Sequence, residues 1–296
     1  MPVAQANGIE IAYETFGERS NPPMLLVMGL GCQLVLWPEE LCQMLAGRGF
    51  YVIRFDNRDI GLSSKIEGGP EPNVLAALAG DASSASYTLA DMADDTVGLL
   101  EQLEIEAAHA VGVSMGGMIV QQLAIDHPER VLSLVSIMST TGDPSVGQPD
   151  PAAMPALLSP APDDREAYID FEVGVFRAIG SPAYPLDEER FREIAGAAYD
   201  RSHYPDGFPR QLVGILASPD RTQALGGVRA PALVIHGESD PLITVSGGEA
   251  TARAIPGAQL MKIPGMGHDL PTELWPQLVD AIVENAERAK APAAGV

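Results

Sequence analysis

The sequence predicts an α/β protein with a mostly parallel central sheet flanked by helices and interrupted by one helical insertion. Three observations carry this reading. Short apolar runs alternate with longer amphipathic stretches from Ile9 onward. Runs such as Leu25-Leu26-Val27-Met28 and Leu233-Val234-Ile235 contain no polar residue, as strands buried on both faces of a parallel sheet require. The alternation then stops between about 141 and 221 and resumes at Ala232, which fits an insert between two strands of one domain better than two independent domains.

Taken in order, the apolar runs predict strands over 9–13, 24–28, 51–55, 108–113, 131–138, 232–236 and 259–263. The connecting stretches predict helices over 39–47, 89–103, 116–126 and 248–254. Inside the insert, Pro-rich stretches surround helical segments at 164–179 and 187–199. The expected organisation is a core of 1–140 and 222–296 with a helical cap of 141–221. The Ala- and Pro-rich tail from 288 to 296 is expected to be disordered.

Composition narrows the function. With 296 residues, 46% of them hydrophobic, the chain can bury a large core without disulfides, so Cys32 and Cys42 are expected as reduced thiols. A formal charge of -22 opposes binding to nucleic acid or to anionic membrane surfaces. Lysine occurs only at 65, 262 and 290, so nearly every cation is arginine. The first residues lack a basic flank followed by an apolar run, and no window approaches eighteen apolar residues, so a soluble cytoplasmic protein is expected. No metal-ligand cluster and no phosphate-binding glycine fingerprint stands out, so neither metal nor cofactor is predicted. The expected partner is a small-molecule substrate, and a homo-oligomer is neither required nor excluded.

The most informative stretch is 109–118, His-Ala-Val-Gly-Val-Ser-Met-Gly-Gly-Met, which sets an apolar strand, a Gly-x-Ser-x-Gly turn and a helix start in succession. A serine hydroxyl is nearly inert until a tight strand-to-helix turn lifts it toward a base and free backbone N–H groups. Ser114 is therefore the candidate nucleophile. Of the five histidines, His109, His127 and His236 belong to element ends, and His203 lies in the insert. His268 follows the last strand on a glycine-rich loop and is the candidate base. An imidazole that carries the serine proton needs a carboxylate on its far nitrogen. Asp240, just beyond the strand at 232–236, is favoured for it, with Glu238 and Asp143 as alternatives. The order Ser114, Asp240, His268 gives the short motif the context it lacks alone. For the oxyanion that develops during acyl transfer, the expected donors are the backbone N–H groups of Met115 and of Leu30 in the Met28-Gly29-Leu30-Gly31 turn.

Across 25–31, 37–38, 52–63, 111–117, 234–241 and 263–268 the chain resembles the α/β-hydrolase fold serine esterases, and within them the branch containing aclacinomycin methylesterase. The resemblance implies carboxylesterase activity, with methyl-ester cleavage as one form of it. Two departures from the commonest patterns stand out. Met28-Gly29 replaces His-Gly before the oxyanion loop, and Asp59 replaces the first glycine of Asp-x-Arg-Gly-x-Gly-x-Ser at 56–63. Both resemble that same branch. Asp56 and Arg58 are expected to form a structural ion pair rather than to act in catalysis.

The same machinery serves thioesterases, amidases, carbon-carbon bond hydrolases and perhydrolases, and the fold also occurs in non-catalytic small-molecule binders. Substrate contacts are expected from Gly29, Trp37, Met138, Phe176 and Tyr204, with Met115, Phe171 and Tyr199 as further candidates. The cap acids Asp163, Asp164, Glu166, Asp170 and Glu172 are expected to form a solvated face.

Overall fold

A computed structural model describes residues 1–289; most of the tail expected to be disordered, 290–296, lies outside them. The described strands are β1 (Val3–Ala6), β2 (Ile9–Phe16), β3 (Pro23–Val27), β4 (Tyr51–Phe55), β5 (Ala108–Val113), β6 (Val131–Ile137), β7 (Ala232–Gly237) and β8 (Gln259–Ile263). They form one sheet in the order β1-β2-β4-β3-β5-β6-β7-β8. From β4 to β8 every pairing is parallel, while β1 and β2 join antiparallel at one edge. β1 is absent from the sequence reading, although Asn7-Gly8 marks it. Both residues have positive φ, 48° and 79°, as a two-residue hairpin turn requires.

The helices outside the insert are α1 (Glu39–Gly47), α2 (Val74–Leu78), α3 (Leu89–Gln102) and α4 (Met115–Asp126), and after the insert α10 (Val245–Ala254) and α11 (Trp275–Arg288). Between β6 and β7 stand α5 (Met154–Leu158), α6 (Arg165–Ile179), α7 (Glu188–Arg201), α8 (Gly207–Ala217) and α9 (Thr222–Leu225). Asp164 and Asp187 cap α6 and α7 by accepting from the backbone N–H three residues on, which satisfies donors a helix start leaves open.

Two apolar layers cover the sheet, and the strands explain why. Along β3, Leu25 and Val27 face α3 and α4, while Met24 and Leu26 face α1 and α11. Every β3 residue after Pro23 is buried, and burying a side chain of this size stabilises by ~1.5–3 kcal/mol. The second layer depends on α11, whose Leu278, Val279, Ile282, Val283 and Ala286 form one helical stripe. Among the described residues no helix is long and apolar enough to cross a membrane.

The parallel register brings the carboxyl ends of β3, β5, β7 and β8 to one edge. Val27 pairs with Gly112, Val113 with Ile137, Ile137 with Ile235, and Gly237 with Ile263. Ligand sites in open α/β sheets form at this edge, beyond the strand ends.

Candidate active site

Ser114 forms the whole connection between β5 and α4. Its φ of 54° and ψ of -121° lie in a region that residues with a Cβ rarely occupy. The turn closes because its neighbours lack side chains. A Cβ on Gly112 would strike the carbonyl of Gly116, and one on Gly116 would strike the carbonyl of Val27 on β3.

His268 stands on the loop after β8 and closes a proton relay. The Ser114 hydroxyl donates to His268 Nε2 at 3.0 Å, and Nδ1–H donates to Asp240 Oδ2 at 2.7 Å. Asp240 is buried, and its other oxygen accepts from the N–H groups of Leu242 and Ile243, both at 2.9 Å. Three donors thus hold this carboxylate in place of a cation. His236 lies behind it, 3.6 Å from the carboxylate, and donates to the Ile243 carbonyl at 2.7 Å. Burial lowers the His236 pKa, so it remains neutral. The alternative acids bond elsewhere: Glu238 to Lys262, and Asp143 to Ser145.

The residues of the expected oxyanion donors line the same cavity as Ser114. Among the described residues neither the Leu30 nor the Met115 N–H has an acceptor, and Met115 opens α4, where the helix dipole favours negative charge. A Cβ built on Gly29 would lie 3.2 Å from Ser114 Cβ, so a side chain here would press on the serine.

Two bracing residues escape sequence reasoning. Asn57 donates to the Met28 carbonyl at 2.9 Å. Gln211 of α8 accepts from the Gly31 N–H at 2.9 Å and donates to the Arg58 carbonyl at 2.8 Å. These bonds hold the loop that a histidine orders in the commoner pattern. Asn57 sits among the charged residues of 56–59 and gives no separate signal, while Gln211 is a polar residue before an apolar run in a helix the reading did not include. On the other side, the His268 N–H donates to the carbonyl of Ile179, and the Gly267 N–H to Ser181 Oγ, each at 2.8 Å. The end of α6 therefore carries the loop of the candidate base.

The loop of 56–59 differs from the expected pair. Asp56 meets Arg201 of α7 at 2.7 Å, while Arg58 grips Asp95 of α3 with two bonds of 2.6 Å. Asp59 has a φ of 66° and meets Arg210 of α8 at 3.0 Å. Its left-handed backbone is one that glycine adopts freely, and its carboxylate adds an ion pair to the insert.

A cavity of about 890 Å³ opens over Ser114 and His268, walled by the core loops and by α2, α5, α6 and α8. Gly29, Leu30, Met115, Met138, Phe176 and Tyr204 line it, as do Phe171 and His203. Trp37 corrects the sequence reading. It is 1% exposed, packs between α1 and the sheet, and lies outside the cavity lining. The short helical turn at 34–36 directs its ring inward. Tyr199 also lies outside, stacked on His203 with ring centroids 4.6 Å apart. Cys32 and Cys42 are free thiols. Cys32 lines the cavity, but burial pushes its pKa up to about 12 and so denies it thiolate character.

A serine held on a strained strand-to-helix turn, with an imidazole and a buried carboxylate behind it, defines a serine hydrolase. The chain belongs to the α/β hydrolase fold family, which it matches over residues 22–273. It is 30% identical to rhodomycin D methylesterase DauP of Streptomyces sp. (strain C5), across 93% of this chain and 94% of that one. It is 29% identical to rhodomycin D methylesterase DnrP of Streptomyces peucetius, across 98% and 99%. These relatives agree with the methylesterase branch that the motifs resemble. Among solved structures, a thermophilic esterase from Thermogutta terrifontis superposes with a TM-score of 0.72 at 26% identity, covering 98% of this chain and 99% of that one.

Proposed function

We propose that the protein is a carboxylic ester hydrolase that cleaves small to medium esters, methyl esters among them, through a serine acyl-enzyme. The observation that carries this reading is the relay of 3.0 Å and 2.7 Å from Ser114 through His268 to Asp240. His268 takes the Ser114 proton as the oxygen attacks the ester carbonyl, and Asp240 stabilises the imidazolium that results. The N–H groups of Leu30 and Met115 receive the charge on the tetrahedral oxygen. The imidazolium then protonates the departing alcohol, and water repeats the sequence on the acyl-enzyme. The cap of 141–221 sets specificity by roofing the cavity.

Two relatives named as methylesterases support the ester class and the small alcohol. The test is hydrolysis of p-nitrophenyl esters of increasing chain length beside the matching methyl esters, by wild type and by Ser114→Ala. The expected result is activity that peaks at one chain length and falls by about 10⁴-fold or more in the variant. Failure on every ester, with Ser114→Ala folded, overturns the reading.

A further inference from the structure

The inner face of α6 carries a carboxyl that no cation among the described residues pairs with. Tyr168, Phe171, Glu172, Val175, Phe176 and Ile179 line the cavity, and their spacing of three and one places them on one helical face. Five of the six are apolar or aromatic. The acids on the rest of α6 have arginine partners: Glu166 meets Arg165 at 2.9 Å, and Asp170 meets Arg192 at 2.6 Å. Glu172, expected on the solvated face, has neither an ion pair nor a hydrogen bond among the described residues. Its carboxyl acts electrostatically on the Cys32 thiol and the Tyr168 phenol, both of which burial pushes toward their neutral forms. Arg190 also lines the cavity, but both its terminal nitrogens bond to Glu40, at 3.0 and 2.8 Å.

We propose that Glu172 recognises a basic nitrogen on the substrate, so that the preferred esters carry an ammonium group on an otherwise apolar frame. This rests on the ester hydrolase reading above. A carboxylate in an apolar wall without a countercharge is costly, and a ligand ammonium removes that cost through a charge-assisted hydrogen bond. The rings of Tyr168, Phe171 and Phe176 share its helical face and attract a cation further. The net charge of -22 raises the local concentration of cations around the whole molecule. A cavity of about 890 Å³ takes a frame of several rings.

Three methyl esters of one shape provide the test: methyl phenylacetates bearing a para aminomethyl, ethyl or hydroxymethyl group. Wild type is expected to favour the aminomethyl ester over the ethyl ester by roughly tenfold or more in kcat/KM. That ratio falls to about one in Glu172→Gln, and Glu172→Asp, which keeps the charge, retains part of it. Equal rates in wild type, or an unchanged ratio in Glu172→Gln, overturn the proposal. A hydroxymethyl ester matching the aminomethyl ester also overturns it, because a neutral hydrogen bond then suffices. If no ester is turned over, the ester hydrolase reading fails, and calorimetry of the same compounds with Ser114→Ala decides this one. Tighter aminomethyl binding that disappears in the Ser114→Ala, Glu172→Gln double variant supports recognition of the amine, and equal binding overturns it.

Discussion

The Gly267 N–H donates to the Ser181 hydroxyl at 2.8 Å, so a residue just beyond α6 holds the backbone beside the candidate base. The same hydroxyl donates to the Asp269 carboxylate. The end of α6 and the loop of the candidate base are thereby joined by hydrogen bonds.

Removing that hydroxyl leaves the buried Gly267 N–H unsatisfied and takes one hydrogen bond from the half-buried Asp269 carboxylate. Ser181→Ala should destabilise the fold by about 1–3 kcal/mol. It should also lower kcat by roughly tenfold with little change in KM, because the His268 imidazole loses its alignment. Steady-state kinetics beside thermal denaturation separate the two effects. An unchanged kcat would show that the loop holds its position without the serine.

Gly29 approaches Ser114 too closely to carry a side chain without consequence. Its backbone accommodates alanine, yet the added methyl would sit 3.2 Å from Ser114 Cβ and 3.7 Å from Oγ, where the substrate carbonyl must lie. Gly29→Ala should fold normally and lose about 10²-fold in kcat/KM on any ester. Wild-type rates in that variant would place the reacting carbonyl elsewhere.

The buried Asp59 pairs with the partly exposed Arg210 between a core loop and α8. Asp59→Gly suits the positive φ but strands the guanidinium, at a cost of about 3 kcal/mol. Arg210→Leu in the same chain should recover much of the loss. A double-mutant cycle by denaturant unfolding reads the coupling, and strictly additive losses would contradict it.

Burial pushes the Glu172 carboxyl up to about 7 from an ordinary value of 4.5, which fixes the sign of a pH effect. Between those values the folded chain holds a proton that the unfolded chain has lost, so this group lowers stability as pH rises through the interval. The titratable groups that line the same cavity include Arg190, bonded to Glu40, together with His203, Asp187, Asp206, His268, Asp269 and Glu273; burial raises the pKa of the Cys32 thiol and of the Tyr168 phenol. Glu172→Gln should therefore gain on the order of 1–3 kcal/mol over wild type at about pH 8 and nothing at about pH 4. Equal unfolding curves at both values would mean that the carboxyl is solvated.

The sequence by itself determined the inner strands of the sheet, the helices that connect them and the chain order of the candidate site residues. These features are local: a strand buried on both faces must be apolar throughout, and a nucleophile turn needs glycine where Gly112 and Gly116 stand. Edge and terminal elements were harder to read. β1 is four residues long and half exposed, and α11 is recognised only by the sheet face it covers.

Tertiary structure alone decided the partners and the directions of side chains. Asp56 and Arg58 are two residues apart in sequence, yet each bonds an element far along the chain, because a charge inside the fold pairs with whatever countercharge the packing brings to it. Trp37 follows the oxyanion loop and turns into the core, whereas Glu172 sits among the acids of a polar helix and turns into the cavity. Spacing along the chain establishes which residues share a face. Only the assembled layers establish what that face meets, because burial and pairing belong to groups that are remote in sequence and adjacent in space.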